Sequence, residues 1–108
     1  MVTTNKNQLT MEGIFKHPLR LKFEEFDQSN PMVWDLFKQY TLEALGNGRR
    51  NLSVSLVIER IRWETTITTS DPDFKICNSY RAFYARKFHK EYPIYDGVFR
   101  TKTSVADL

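Results

Sequence analysis

The chain has 108 residues, of which 41% are hydrophobic and 14% aromatic, and its 16 Lys and Arg residues exceed its 13 Asp and Glu residues by three charges. This length supports one hydrophobic core of modest size, and ordinary apolar content with a low net charge disfavours intrinsic disorder. A single cysteine excludes an intramolecular disulfide, and no apolar run reaches the roughly 18 residues that a membrane span requires.

Residues 1–13 are rich in Thr, Asn and Gln and contain no apolar run of signal-peptide length. They predict a flexible N-terminal tail and a cytoplasmic location. We expect a single α+β domain over residues 14–103 and a short C-terminal tail over residues 104–108.

The first apolar segment predicts a short extended stretch. Pro18 disfavours helix at His17, and apolar residues alternate with basic ones over residues 19–23. This alternation is typical of an edge strand.

Two helices follow. Asn30 and Pro31 form a helix start, and the pattern predicts a helix over residues 31–45 that ends at Gly46-Asn47-Gly48. Ser53 caps a second predicted helix over residues 54–64.

Residues 65–76 combine a run of β-branched residues with the turn sequence Ser70-Asp71-Pro72-Asp73, which predicts a β-hairpin. Asn78 caps a third helix that ends near Tyr92, and residues 98–103 predict a short C-terminal strand. The fold class is therefore α+β, with three main helices, a hairpin between the second and third, and an arrangement similar to a winged helix. The predicted core consists of Val33, Phe37, Val57, Ile58, Ile61, Tyr84 and Phe88.

Positive charge is concentrated in the second half of the chain. Residues 1–48 carry five basic and six acidic residues, whereas residues 49–108 carry eleven basic and seven acidic ones, a net of +4. A basic helix and wing would contact phosphates, so we expect binding to a nucleic acid, either DNA or RNA. The candidate contact residues are Arg81, Arg86, Lys87, Lys90, Arg100 and Lys102. The alternative explanation is that these basic residues form an ordinary solvent-exposed helix face with no binding role.

Aromatic residues offer a second interpretation. Trp34 and Trp63 have spacings that fit the apolar helix stripes, so a core role is favoured for both. If several aromatic residues remain exposed, they would instead mark a surface for a homodimer or a host protein.

Enzymatic chemistry is a third possibility. Asp73-Phe74-Lys75, preceded by Asp71, resembles the acidic element of Mg²⁺-dependent nucleases, although the same residues form ordinary turns. Cys77 and His89 could supply a nucleophile and a base, but a buried and inert cysteine is the favoured interpretation. No zinc-type spacing is present, so we expect neither a metal site nor a cofactor.

Four short sequences carry a family resemblance: Phe26-Asp27, Asn30-Pro31, the run Glu59-Arg60-Ile61-Arg62-Trp63-Glu64-Thr65, and Tyr80-Arg81-Ala82-Phe83-Tyr84-Ala85-Arg86. Over residues 23–103 the chain resembles a family of small proteins carried by phages and other bacterial mobile elements. The resemblance implies a mobile-element context, in which small proteins often bind DNA or interfere with host factors, and does not imply a particular mechanism.

Overall fold

The computed structural model describes residues 16–102 and 104–107, and four α-helices form most of this part of the chain. They are α1 (Pro18–Ser29), α2 (Pro31–Gly46), α3 (Val54–Thr68) and α4 (Arg81–Glu91). Short 3-10 helices cover Asn78–Tyr80, Pro93–Tyr95 and Val105–Asp107. The predicted N-terminal tail lies outside the described residues.

The predicted edge strand over residues 19–23 is wrong, because this segment belongs to α1. His17 has an extended backbone, and its Nδ1 accepts a hydrogen bond from the backbone N–H of Leu19 at 3.1 Å. Pro18 then occupies the first turn, where a missing N–H costs nothing. The proline that excludes helix at His17 therefore begins a helix one residue later.

Asn30 lies between α1 and α2, and its side chain caps the C-terminus of α1 rather than the N-terminus of α2. Its side-chain Nδ2 donates to the carbonyl of Phe26 at 3.0 Å, and it makes no side-chain cap to α2. Pro31 begins α2 as predicted, and the helix ends at Gly46, followed by Gly48 at a φ of 91°. The predicted bounds of this helix are confirmed to within one residue.

The predicted β-hairpin over residues 65–76 is wrong. α3 continues to Thr68, and its threonine hydroxyls donate to carbonyls one turn earlier: Thr65 to Ile61 at 2.9 Å, and Thr68 to Glu64 at 3.0 Å. These bonds give the hydroxyl groups of the β-branched threonines partners within the helix. Because the described residues form no β-strand and no sheet, the α+β class and the winged-helix arrangement are also wrong.

The predicted C-terminal strand over residues 98–103 is reduced to one isolated bridge. Leu52 pairs with Phe99 in parallel, and the backbone N–H of Leu52 donates to the carbonyl of Val98 at 2.9 Å. This contact joins the segment before α3 to the segment after α4. Residues 100–102 have no neighbouring strand, so the ladder does not extend.

The core lies between the four helices. All seven predicted core residues are buried, and Trp34 is buried with them. Tyr84 on α4 is fully buried and packs against the ring of Phe23 from α1 and that of Phe37 from α2. Aromatic contacts thus join three helices, as expected where large rings dominate a small core.

Candidate interaction surface

Three of the six predicted nucleic-acid contacts form hydrogen bonds inside the fold. Arg86 on α4 is the most engaged of them, with a bidentate contact to Asp107 at 2.5 and 3.0 Å. It also donates to the carbonyls of Ala82 and Lys102, at 3.1 and 2.6 Å. This guanidinium holds the C-terminal segment against α4, and it lowers the pKa of Asp107 to about 2.

Lys87 of α4 contacts two other helices. Its ammonium forms an ion pair with Asp27 of α1 and lies 4.6 Å from the ring centroid of Trp34 on α2. The second carboxylate oxygen of Asp27 and the hydroxyl of Tyr84 are buried without hydrogen-bond partners among the described residues. Burial, with a smaller contribution from Asp27, raises the pKa of Tyr84.

Arg81 and Arg62 fasten the loop between α3 and α4. Arg81 donates to the hydroxyl of Ser55 at 2.7 Å and to the carbonyl of Asn78 at 3.0 Å. Arg62 donates to the carbonyl of Ile76 at 2.7 Å and to the side-chain oxygen of Asn78 at 2.5 Å. Hydrogen bonds from these two guanidinium groups hold the loop, whereas in a hairpin backbone hydrogen bonds between strands would hold it.

The other three candidates, Lys90, Arg100 and Lys102, are exposed. None of them forms an ion pair with another described residue. A hydrogen bond from the backbone N–H of Phe99 to Nε2 of His89, 3.1 Å long, brings the neighbours of Lys90 and Arg100 together. The structure thus leaves half of the predicted cationic set accessible.

A row of large apolar side chains lies exposed on the opposite side of α3 from the core. Leu56 is 70% exposed, Trp63 66% and Ile67 62%. Together with Arg60, which is also exposed, they occupy positions separated by four, three and four residues, which places all four on one side of the helix. We call these four residues the α3 outer face.

Arg60 is held in place at the edge of this face. Its guanidinium carbon lies 4.6 Å from the ring centroid of Tyr40 on α2, a cation–π contact. On the other edge, Glu59 and Arg62 form an ion pair at 2.5 Å within the helix. The outer face therefore combines three exposed apolar side chains with one ordered cation, and an ion pair lies beside it.

The sequence interpretation missed this surface because it ended the helix at Glu64. Trp63 then counted as core, and Ile67 as part of a strand. Only the continuation to Thr68 adds Ile67 to the row, and the core prediction for Trp63 is wrong. The signal was the position of Trp63 two residues after the buried Ile61, which points it to another side of a helix.

The acidic sequence proposed for Mg²⁺ chemistry forms a turn. A side-chain oxygen of Asp71 accepts from the backbone N–H of Asp73 at 2.9 Å, an Asx turn. An open groove of about 540 Å³ lies beside it, between this loop and the C-terminal half of α3, with Arg62 and Lys75 in its wall. The described residues contain no cluster of three metal-ligating side chains.

Cys77 and His89 do not act on one another. Cys77 is exposed, so the prediction of a buried thiol is wrong. His89 accepts from Phe99 at Nε2, and its Nδ1 lies 3.5 Å from a carboxylate oxygen of Asp96. Both ring nitrogens therefore have other partners, and burial lowers the pKa of His89 against the opposing effect of Asp96.

Comparison of the chain with family models, with curated proteins and with solved structures found no match. None of the helices in the described part of the chain is long and apolar enough to cross a bilayer.

Proposed function

We propose that this chain is a non-catalytic interaction protein that binds another protein through the α3 outer face. The observation that carries this proposal is the exposure of Leu56, Trp63 and Ile67 in one row. Single exposed apolar residues are ordinary on protein surfaces, whereas contiguous apolar patches mark contact sites. The composition of the chain fits a cytoplasmic location for this binding.

The chemistry of the row suits protein recognition. Trp and Arg are the residue types most enriched among the energetically dominant positions of protein interfaces. Along the helix axis, Trp63 and Arg60 lie between Leu56 and Ile67, which form the ends of the row. The cation–π contact with Tyr40 fixes Arg60 before any partner arrives, which reduces the conformational entropy lost on binding.

Site-specific photocrosslinking in bacterial cells tests the proposal. A benzophenone amino acid at Ile67 places the reactive group at one end of the row, while Trp63 remains intact. We expect a protein adduct after irradiation, and we expect Trp63→Ala in the same chain to abolish it, because the central anchor is lost. Mass spectrometry identifies the captured protein.

Ile94 provides the matched control position. It is 85% exposed and lies in the 3-10 helix after α4, so it is not a member of the outer face. A benzophenone at Ile94 should give no Trp63-dependent adduct. Failure to obtain any Trp63-dependent adduct from Ile67 would contradict the proposed function.

Nucleic-acid binding is a second candidate, favoured by the exposure of Lys90, Arg100 and Lys102. Three phosphate contacts predict a log–log salt slope of about −3 for duplex DNA. Fluorescence anisotropy at several salt concentrations measures this slope. Lys90→Ala should flatten it by about 1, whereas Arg86→Ala should leave it unchanged. Absence of binding at tens of micromolar in low salt would reject this candidate.

A further inference from the structure

We propose that the protein bound by the α3 outer face is a second copy of this chain, packed with its α3 antiparallel to the first about a two-fold axis. This inference rests on the proposed function and names its partner. Two features of α3 support it: the symmetric spacing of the outer face and the placement of the charged residues on the helix.

The α3 outer face is self-complementary in its spacing. Its four residues, Arg60 included, are separated by four, three and four positions, an order that reads the same in both directions along the helix. A two-fold axis perpendicular to the helix exchanges the ends of the row, so Leu56 of one copy meets Ile67 of the other, and Arg60 meets Trp63. A symmetric dimer requires this reciprocity, in which each contact between two residues occurs twice.

Charge complementarity favours the antiparallel register. At 3.6 residues per turn, Glu64 lies about 70° from the centre of the row, on the same edge as Arg60. A two-fold axis perpendicular to the helix keeps equivalent edges together, so Arg60 lies beside Glu64 of the second copy, about 1.5 Å apart along the helix axis. This pairing gives the guanidinium, which rests on Tyr40 in the single chain, a carboxylate partner.

The opposite edge adds no repulsion. Glu59 is already paired with Arg62 of its own helix, so its charge is compensated. The four charged residues of α3 are Glu59, Arg60, Arg62 and Glu64, which sum to zero. Two copies of the helix can therefore approach without net charge repulsion, while Trp63 of each copy lies beside Arg60 of the other.

The size of the row sets the expected affinity. From Leu56 to Ile67 it extends about 16 Å along the helix. A contact confined to this length of one helix buries less surface area than a standard stable dimer interface. We therefore expect a dissociation constant on the order of micromolar. The chain should dimerise reversibly and with a concentration dependence.

Sedimentation equilibrium on the full chain from about 1 to 300 µM tests dimer formation. The expected mass rises from the 12.8 kDa of one chain to twice that value. Trp63→Ala and Arg60→Glu should each weaken association at least tenfold, whereas Ile94→Ala should not change it. A monomer throughout this range would overturn the proposal.

Disulfide trapping tests the register. In a Cys77→Ser background, Leu56→Cys chains and Ile67→Cys chains of different mass are mixed and oxidised with copper phenanthroline in air. The antiparallel register predicts a mixed disulfide between the two variants, and little linkage within either variant alone. Linkage of each variant to itself would show a parallel arrangement and overturn the proposal.

The photocrosslinking experiment separates the two levels of inference. A Trp63-dependent adduct of this chain with itself supports both. A monomeric chain that forms a Trp63-dependent adduct with a different protein overturns the second copy as partner and leaves the proposed function standing. Absence of any such adduct overturns the proposed function.

Discussion

Helices α3 and α4 look alike in sequence and behave differently in the fold. Both combine a buried stripe with charged residues that a helical wheel places on a solvated side. In α4, Arg86 and Lys87 form contacts inside the fold, with Asp107 and Asp27. In α3, the side facing solvent carries Trp63 and two large aliphatic residues.

The difference shows that the number of basic residues on a helix does not determine the charge it presents to a partner. A cation that pairs with a carboxylate contributes little to the external field, and its long apolar stem packs against the core. An apolar residue on the side of a helix opposite the core makes no comparable contact within the fold. The outward side of α3 is therefore a stronger indicator of binding than the basic residues of α4.

The largest expected effect is the difference in stability between substitutions on the buried and the exposed sides of α3. Ile61 is fully buried, so Ile61→Ala should cost about 2–5 kcal/mol through lost apolar contact and a residual cavity. Trp63→Ala should cost less than about 0.5 kcal/mol in the monomer, because the indole is largely exposed. Urea denaturation at low protein concentration measures both. A large loss for Trp63→Ala would place its indole in the core and remove the outer face.

An intermediate effect should come from Lys87 on α4. Lys87→Ala leaves the partly buried carboxylate of Asp27 without its partner and should cost about 1–2 kcal/mol, less than for a fully buried pair because the lysine is partly exposed. The exposed Lys90 is the matched control, and Lys90→Ala should change stability by less than about 0.5 kcal/mol.

A double-mutant cycle sharpens this test. Lys87→Ala should cost less in an Asp27→Asn background, where no unpaired carboxylate remains. Equal costs in both backgrounds would show that the ion pair does not hold α1 to α4.

The smallest effect should be the pH dependence that arises from His89. Burial lowers its pKa in the folded protein, so the unfolded chain takes up a proton first as pH falls below about 6.5. Stability should therefore decrease from pH 7.5 to pH 5.5 and be level above that range. Urea midpoints at the two pH values measure the change, and His89→Gln should reduce it. An unchanged pH dependence in that variant would assign the effect to other groups.

The sequence predicted the elements whose signals are local. Proline at the first position of α2, glycine after its end, and the Ser53 cap of α3 each act on neighbouring backbone, so these boundaries required no knowledge of the fold. The buried stripes of α2, α3 and α4 repeat with the helical period, which is why all seven predicted core residues are buried.

Tertiary structure decided the remainder, because the deciding contacts join residues far apart in sequence. The loop after α3 is held by Arg62 and Arg81, through hydrogen bonds to residues 14 and 26 positions away, rather than by strand pairing. Arg86 and Lys87 meet carboxylates 21 and 60 positions away, so their use inside the fold could not be read from their own helix. A residue's type and spacing fix its local preference, but its exposure depends on what the rest of the chain places against it.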